Sequence, residues 1–185
     1  MVKYTSFYKV KTKDKKEDEV LFVSYLTNSP SRTKKIGESF AKNILKCNLT
    51  KRAVILGLIG DLGGGKTTFL QGVARGLGIK QAITSPTFVI MRKLKIPRSR
   101  KSSLRDGRNH KFKNFYHFDC YRIQKPTEML TLGFKEIISD PQNIVVLEWA
   151  DKIRKMLHED SLMLEFEFID KNTRKIIIRN TGHEK

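Results

Sequence analysis

Eight consecutive residues, Gly60-Asp61-Leu62-Gly63-Gly64-Gly65-Lys66-Thr67, combine glycine backbone, one cation and one hydroxyl at a spacing suited to a polyphosphate. Glycines let main-chain N–H groups close on phosphate oxygens without Cβ clashes. A lysine placed there reaches the terminal phosphates, and the threonine hydroxyl is a magnesium ligand. The preceding run, Ala53-Val54-Ile55-Leu56-Gly57-Leu58-Ile59, is apolar, and a segment of helical period follows. A buried strand that turns into a helix start aims unpaired amides and the positive end of the helix dipole at one point. The chemistry this predicts is capture of a nucleoside triphosphate with magnesium.

Two acids each close an apolar run. Asp119 follows Phe115-Tyr116-His117-Phe118, and Glu148 follows Ile144-Val145-Val146-Leu147 in the usual place of a Walker-B acid. Open α/β sheets gather ligands outside the carboxyl ends of their strands, where both acids would sit. Magnesium takes one or two carboxylates together with substrate phosphates. One acid would join Thr67 on the metal and the other would orient an attacking water; the residue types leave the division open. Lys66, Asp119 and Glu148 are therefore the candidate catalytic residues, and Thr67, Glu148 and Asp119 the candidate metal ligands. His117 shares the strand face of Asp119, where sensing phosphate and filling space are both open to it. Trp149 suits either base stacking or a core.

The elements that must position these groups alternate between the two periods. Val20–Leu26 reads as a strand, and Ile36, Phe40 and Ile44 mark one face of a helix from about Arg32 to Cys47. The strand at 53–59 comes next, then a helix from Lys66 to Leu77 closed by Gly78. Phe88–Ile90 can resume a strand, Pro126 opens a helix carrying Met129, Phe134 and Ile138, and Asp151–Leu157 suits a short helix. Strict alternation at Leu162, Leu164, Phe166 and Phe168, and again at Ile176 and Ile178, predicts a hairpin. The expected fold is α/β of three layers, a central and mostly parallel sheet with an antiparallel C-terminal hairpin. Residues 1–19 read as a flexible charged leader, 20–180 as one domain and 181–185 as a tail.

At 185 residues the chain is long enough to bury a substantial core. No stretch has the apolar length of a membrane span, and the charged opening Met1–Glu19 lacks the apolar core of a secretory signal. Cys47 and Cys120 are the only cysteines and lack metal-ligand spacing, so a reduced, cytoplasmic protein is expected. The formal net charge is +18, and 91–114 holds ten basic residues against one acid, which is half of it. With Pro97, Gly107 and several serines, that segment reads as an exposed basic loop. Contact with a polyanion such as RNA and a merely solvated lysine-rich loop fit it equally.

The ordered set GDLGGGKTT at Gly60–Thr68, Ser85-Pro86-Thr87-Phe88, His117-Phe118-Asp119-Cys120-Tyr121-Arg122 and Leu147-Glu148-Trp149 closely resembles the TsaE (YjeE) family. That family comprises bacterial ATPases of threonylcarbamoyladenosine tRNA modification. The resemblance implies a P-loop domain that binds ATP and magnesium, hydrolyses ATP slowly alone, and works with TsaD and TsaB beside tRNA. By position, Leu62, Gly63, Gly64, Gly65, Lys66, Thr67 and Thr68 would hold the phosphates. Thr67 and Glu148 would ligate magnesium, with Asp119 supporting metal or water. Thr87 resembles a switch near the γ-phosphate, while Thr33 and Arg174 match positions near the adenine. Members usually have a short connection between the SPTF and HFD segments, so the basic insert at 91–114 is a departure, expected to strengthen contact with tRNA or with an acidic face of the partner complex. Two other readings share the P-loop: a small-molecule or nucleoside kinase, and a non-catalytic basic RNA-binding module.

Overall fold

The apolar runs that end at the P-loop and at Glu148 lie side by side in the middle of one sheet. In this computed structural model the residues described are 3–11, 17–46, 51–84, 90–97 and 111–180. The strands are β1 (Lys3–Lys11), β2 (Glu17–Thr27), β3 (Val54–Ile59), β4 (Met91–Lys95), β5 (Asn114–Asp119), β6 (Asn143–Glu148), β7 (Leu162–Phe168) and β8 (Arg174–Asn180). The helices are α1 (Pro30–Lys46), α2 (Lys66–Gly76) and α3 (Phe134–Ser139). The eight strands are ordered β1-β2-β8-β7-β3-β6-β5-β4. Parallel pairing holds β7, β3, β6 and β5 together, while the pairs on both flanks are antiparallel.

β6 is buried along its whole length, as its unbroken apolar run requires. Its alternate side chains serve opposite faces. Ile144 and Val146 join a cluster with Leu56, Leu58, Phe69, Leu70, Val73 and Ile36 beneath α1 and α2. Val145 and Leu147 join Phe118, Met129, Phe134, Ile138 and Ile153 on the other face. Helices thus cover both sides of the sheet, giving the three layers expected.

α1 begins with Ser29 as its cap, the Arg32 amide donating to Ser29 Oγ at 3.3 Å, and Pro30 in the first turn. It packs on α2 through glycines. A Cβ placed on Gly72 would stand 2.1 Å from Lys34 O, and one on Gly37 would stand 2.2 Å from Phe69 O. The two backbones therefore touch directly. α2 ends as its sequence predicts, with Leu77 as cap and Gly78 at φ 77°, the Gly78 and Ile79 amides closing on Arg75 O and Ala74 O.

Four expectations are revised. Residues 3–11, expected within a charged leader, form β1 on β2, and β2 starts at Glu17 rather than Val20. Tyr, Thr, Phe and Val recur between the charges there, and such residues favour strands. Met91–Lys95, expected within the basic loop, is edge strand β4 on β5. Lysine and arginine on an edge strand discourage pairing with other chains. The helix predicted from Pro126 is interrupted at Gly133 (φ 68°): a 3-10 turn, Pro126–Leu132, precedes it and α3 follows. Parallel pairing is confined to the central four strands, so the antiparallel part exceeds the C-terminal hairpin. Residues 85–89 and 98–110, which hold Thr87 and most of the insert, lie outside the described residues. Among the described residues no helix is long and apolar enough to cross a membrane.

Candidate functional site

β3 leads into a bend that only glycine accommodates. Gly60 has φ 128°, and a Cβ there would stand 2.2 Å from Phe166 O on the neighbouring β7. Gly65, with φ 100°, sits immediately before the first residue of α2. Both angles lie where a side chain would be strained. The bend wraps over α2, whose first-turn amides have no partner within the helix. A cavity of about 250 Å³ opens here, lined by Leu62, Gly63, Gly65, Lys66, Thr67, Thr68, Glu148 and Trp149. That volume suits a polyphosphate better than a whole nucleotide.

Lys66 is 5% exposed. Its ammonium donates to Asp61 O at 2.8 Å and also to Gly60 O, and it lies 4.2 Å from the Trp149 ring centre. Burial holds its pKa below the ordinary lysine value, and Glu148, Asp61, Asp119 and Asp151 oppose that shift through their charge. Trp149 has φ 58°, the left-handed region; it is the one non-glycine residue with positive φ among those described. The turn out of β6 thereby brings the indole over Lys66.

Glu148 is the best-held acid. At 3% exposure its carboxylate accepts from Thr67 Oγ1 at 2.9 Å on one oxygen, and its other oxygen lies 3.0 Å from His117 Nε2. Asp119 lies opposite Glu148 in the β5–β6 register, so the two acids occupy adjacent strand ends. Asp119 is less enclosed, and its Oδ1 accepts from the Tyr121 amide at 3.0 Å. Cys120, next to it, is fully buried. Burial first, then the Asp119 charge, pushes its thiol up to about 12.

Two distant segments flank the loop. Arg174, the first residue of β8, donates from Nε to Gly63 O at 2.8 Å and from Nη1 to Asp170 O at 2.6 Å, with Phe168 stacked 4.3 Å away. A Cβ on Gly65 would stand 3.7 Å from Arg174 Cγ and 3.9 Å from Thr33 Cγ2. Thr33 turns its methyl toward the loop, because its hydroxyl donates to Ser29 O (3.3 Å) and bonds the Thr27 hydroxyl (2.9 Å).

Residues 62–68, Lys66, Thr67, Glu148, Thr33 and Arg174 thus meet around one bend, with Asp119 at the adjoining strand tip. Thr87 lies outside the described residues. His117 had no definite partner on sequence grounds, and its bond to Glu148 depends on β5 lying beside β6. Parity along the strand, which puts His117 on the face of Asp119, was the available signal. Among the described residues no group of three His, Cys, Asp or Glu side chains could hold a metal alone. Thr67 and Glu148 nevertheless present hard oxygen donors in the lining of this cavity. Magnesium fits that set, because substrate phosphates supply its remaining ligands.

The family model described as threonylcarbamoyl adenosine biosynthesis protein TsaE matches residues 27–176. Among curated relatives is the tRNA threonylcarbamoyladenosine biosynthesis protein TsaE of Rickettsia prowazekii, 33% identical over 148 residues (80% of this chain, 88% of that one). The protein of that name from Bacillus subtilis is 30% identical over 161 residues, covering 87% of each chain. The crystal structure of Bacillus subtilis YdiB superposes with a TM-score of 0.65 at 27% identity, covering 89% of each chain.

Proposed function

This chain belongs to the TsaE family, and from that premise we propose that it is a magnesium-dependent ATPase serving threonylcarbamoyladenosine modification of tRNA with TsaD and TsaB. The observation that carries the ATPase part is the 2.9 Å bond from Thr67 to Glu148, which joins the P-loop helix to a buried strand-end acid 81 positions away. A hydroxyl and a carboxylate so placed are the oxygen pair a phosphate-bound magnesium needs.

In this reading Leu62 to Thr68 cradle the phosphates, and Lys66 exchanges its carbonyl partners for phosphate oxygens. Thr67 and Glu148 hold magnesium, which supplies charge neutralisation on the phosphates when bound. Asp119 orients the attacking water or braces the metal shell. Thr87 contacts the γ-phosphate region, and Thr33 and Arg174 border the base. Phosphoryl transfer asks for positioning and neutralisation more than covalent chemistry, and these residues suit that demand. Among the described residues no arginine lines the cavity, so turnover is slow until the partners complete the site. The protein works in the cytoplasm. The basic insert at 91–114 gives tRNA a direct contact besides those made through the complex.

The test is release of inorganic phosphate from ATP by the purified chain, alone and with TsaD, TsaB and tRNA. Feeble turnover alone that rises with partners is the expected result. Fast turnover indifferent to partners, or γ-phosphate delivered to an acceptor other than water, overturns the reading.

A further inference from the structure

We propose that His117 is a positioning residue for the Glu148 carboxylate, a role that rests on the ATPase reading above and specifies how its metal site is held. His117 is fully buried, on the sheet face it shares with Phe115 and Val146 of the apolar cluster and with Glu148. Its Nδ1 has no hydrogen-bond partner among the described residues, and its Nε2 lies 3.0 Å from Glu148 Oε1. A buried imidazole with one nitrogen unsatisfied is a poor way to fill an apolar layer. What it supplies is one directed bond.

That bond fixes the tautomer. A proton on Nδ1 would leave a bare Nε2 lone pair against a carboxylate oxygen, so the proton sits on Nε2 and points at Glu148. The register explains the aim: Asp119 lies opposite Glu148 and His117 opposite Val146, so His117 approaches the carboxylate from one step below on the same face. Glu148 therefore has a donor on each oxygen, Thr67 on Oε2 and His117 on Oε1. Two donors on opposite oxygens hold the plane of a carboxylate that one donor would let pivot. Their duties differ. The Thr67 hydroxyl is itself a candidate metal ligand, through oxygen lone pairs that its donated bond to Oε2 leaves free. His117 has no such task and keeps Oε1 engaged, which leaves Oε2 aimed at the P-loop. Hydrogen-bond partners behind a metal ligand commonly set affinity in this way.

The experiment uses the full chain with His117→Gln and His117→Asn. Glutamine places an amide N–H near the position of the imidazole Nε2, and asparagine stops one methylene short. Magnesium titrations of ATP binding by calorimetry read the metal site without turnover, and thermal midpoints monitor the fold. The glutamine variant should stay within about threefold of the parent in half-saturating magnesium, and the asparagine variant should need about tenfold more or beyond. Metal-free ATP binding and the two variants' midpoints should match. Equal half-saturation in the two variants, or loss of metal-free binding in step with the change, overturns the role of His117. If the parent chain binds ATP with no dependence on magnesium, the ATPase reading fails and takes this role with it. A magnesium-dependent parent with two equal variants sinks the role of His117 alone.

Discussion

Lys66 is a cation kept under partly unfavourable conditions, and its titration follows from that. Because burial holds its pKa below 10.5, the folded chain releases this proton at a pH where the unfolded chain still binds it. Stability from this group therefore rises as pH climbs through the folded pKa, while attraction for phosphate falls over the same interval. Calorimetric ATP affinity measured from neutral to alkaline pH should weaken before the ordinary lysine range in the parent chain. In Lys66→Arg it should stay flat, because guanidinium keeps its charge. The two roles left to Asp119 predict different outcomes. If it orients the water, Asp119→Asn should lower kcat by roughly 10²–10⁴-fold with little change in magnesium affinity. If it braces the metal shell, the magnesium requirement should rise as it should in Glu148→Gln. Steady-state kinetics at varied magnesium separates the two. Cys120, its thiol pushed up to about 12, should resist iodoacetamide at pH 8 in the folded protein and react once urea unfolds it. Peptide mass spectrometry reads this directly. Most of these residues were legible as types: the glycine pattern announced Lys66 and Thr67, and apolar runs announced both acids. The bond between His117 and Glu148 was not, since nothing local says which strand neighbours β5.

The seam between α1 and α2 makes its own prediction at the scale of elements. An alanine methyl at Gly72 would stand 2.1 Å from Lys34 O, a backbone atom that cannot swing aside. Gly72→Ala should cost roughly 1–3 kcal/mol in urea unfolding, because overpacking forces the backbones apart. It should also weaken ATP binding, since shifting α1 moves Thr33 away from Gly65. The end of α2 came through well because its cap is local: Gly78 acts within a turn of the residues it terminates, whereas α1 starts at Pro30, before the Arg32 expected, and the helix from Pro126 breaks at Gly133. Edge strands came through badly. Lysines and arginines dominate Met91–Lys95, and charge density there outweighed the weak alternation that a half-exposed strand leaves. Arg174 shows a further limit. Its bond to Gly63 O exists because β8 lies between β2 and β7, an order the hairpin's own alternation does not contain.

At the scale of the whole molecule, charge and topology lead to different consequences. The net charge of +18 favours polyanions, and a chain lacking residues 98–110 keeps β4 while losing five basic side chains. That deletion should weaken tRNA binding and flatten the dependence of log affinity on log salt, as measured by filter binding across salt concentrations. The three-layer class was readable from alternating periods, yet the strand order was not, because β6 slots between β5, the strand just before it, and β3, laid down far earlier. The chain makes β3, travels to the far edge to make β4 and β5, and returns to fill the middle with Asn143–Glu148. During synthesis, a nascent polypeptide that has cleared the ribosome only through β5 carries its phosphate loop and Asp119 but not Glu148. At that point β3 lacks both of its sheet neighbours, β6 and β7. On the ATPase reading, a chain cut before Asn143 lacks Glu148 and should not retain magnesium-bound ATP.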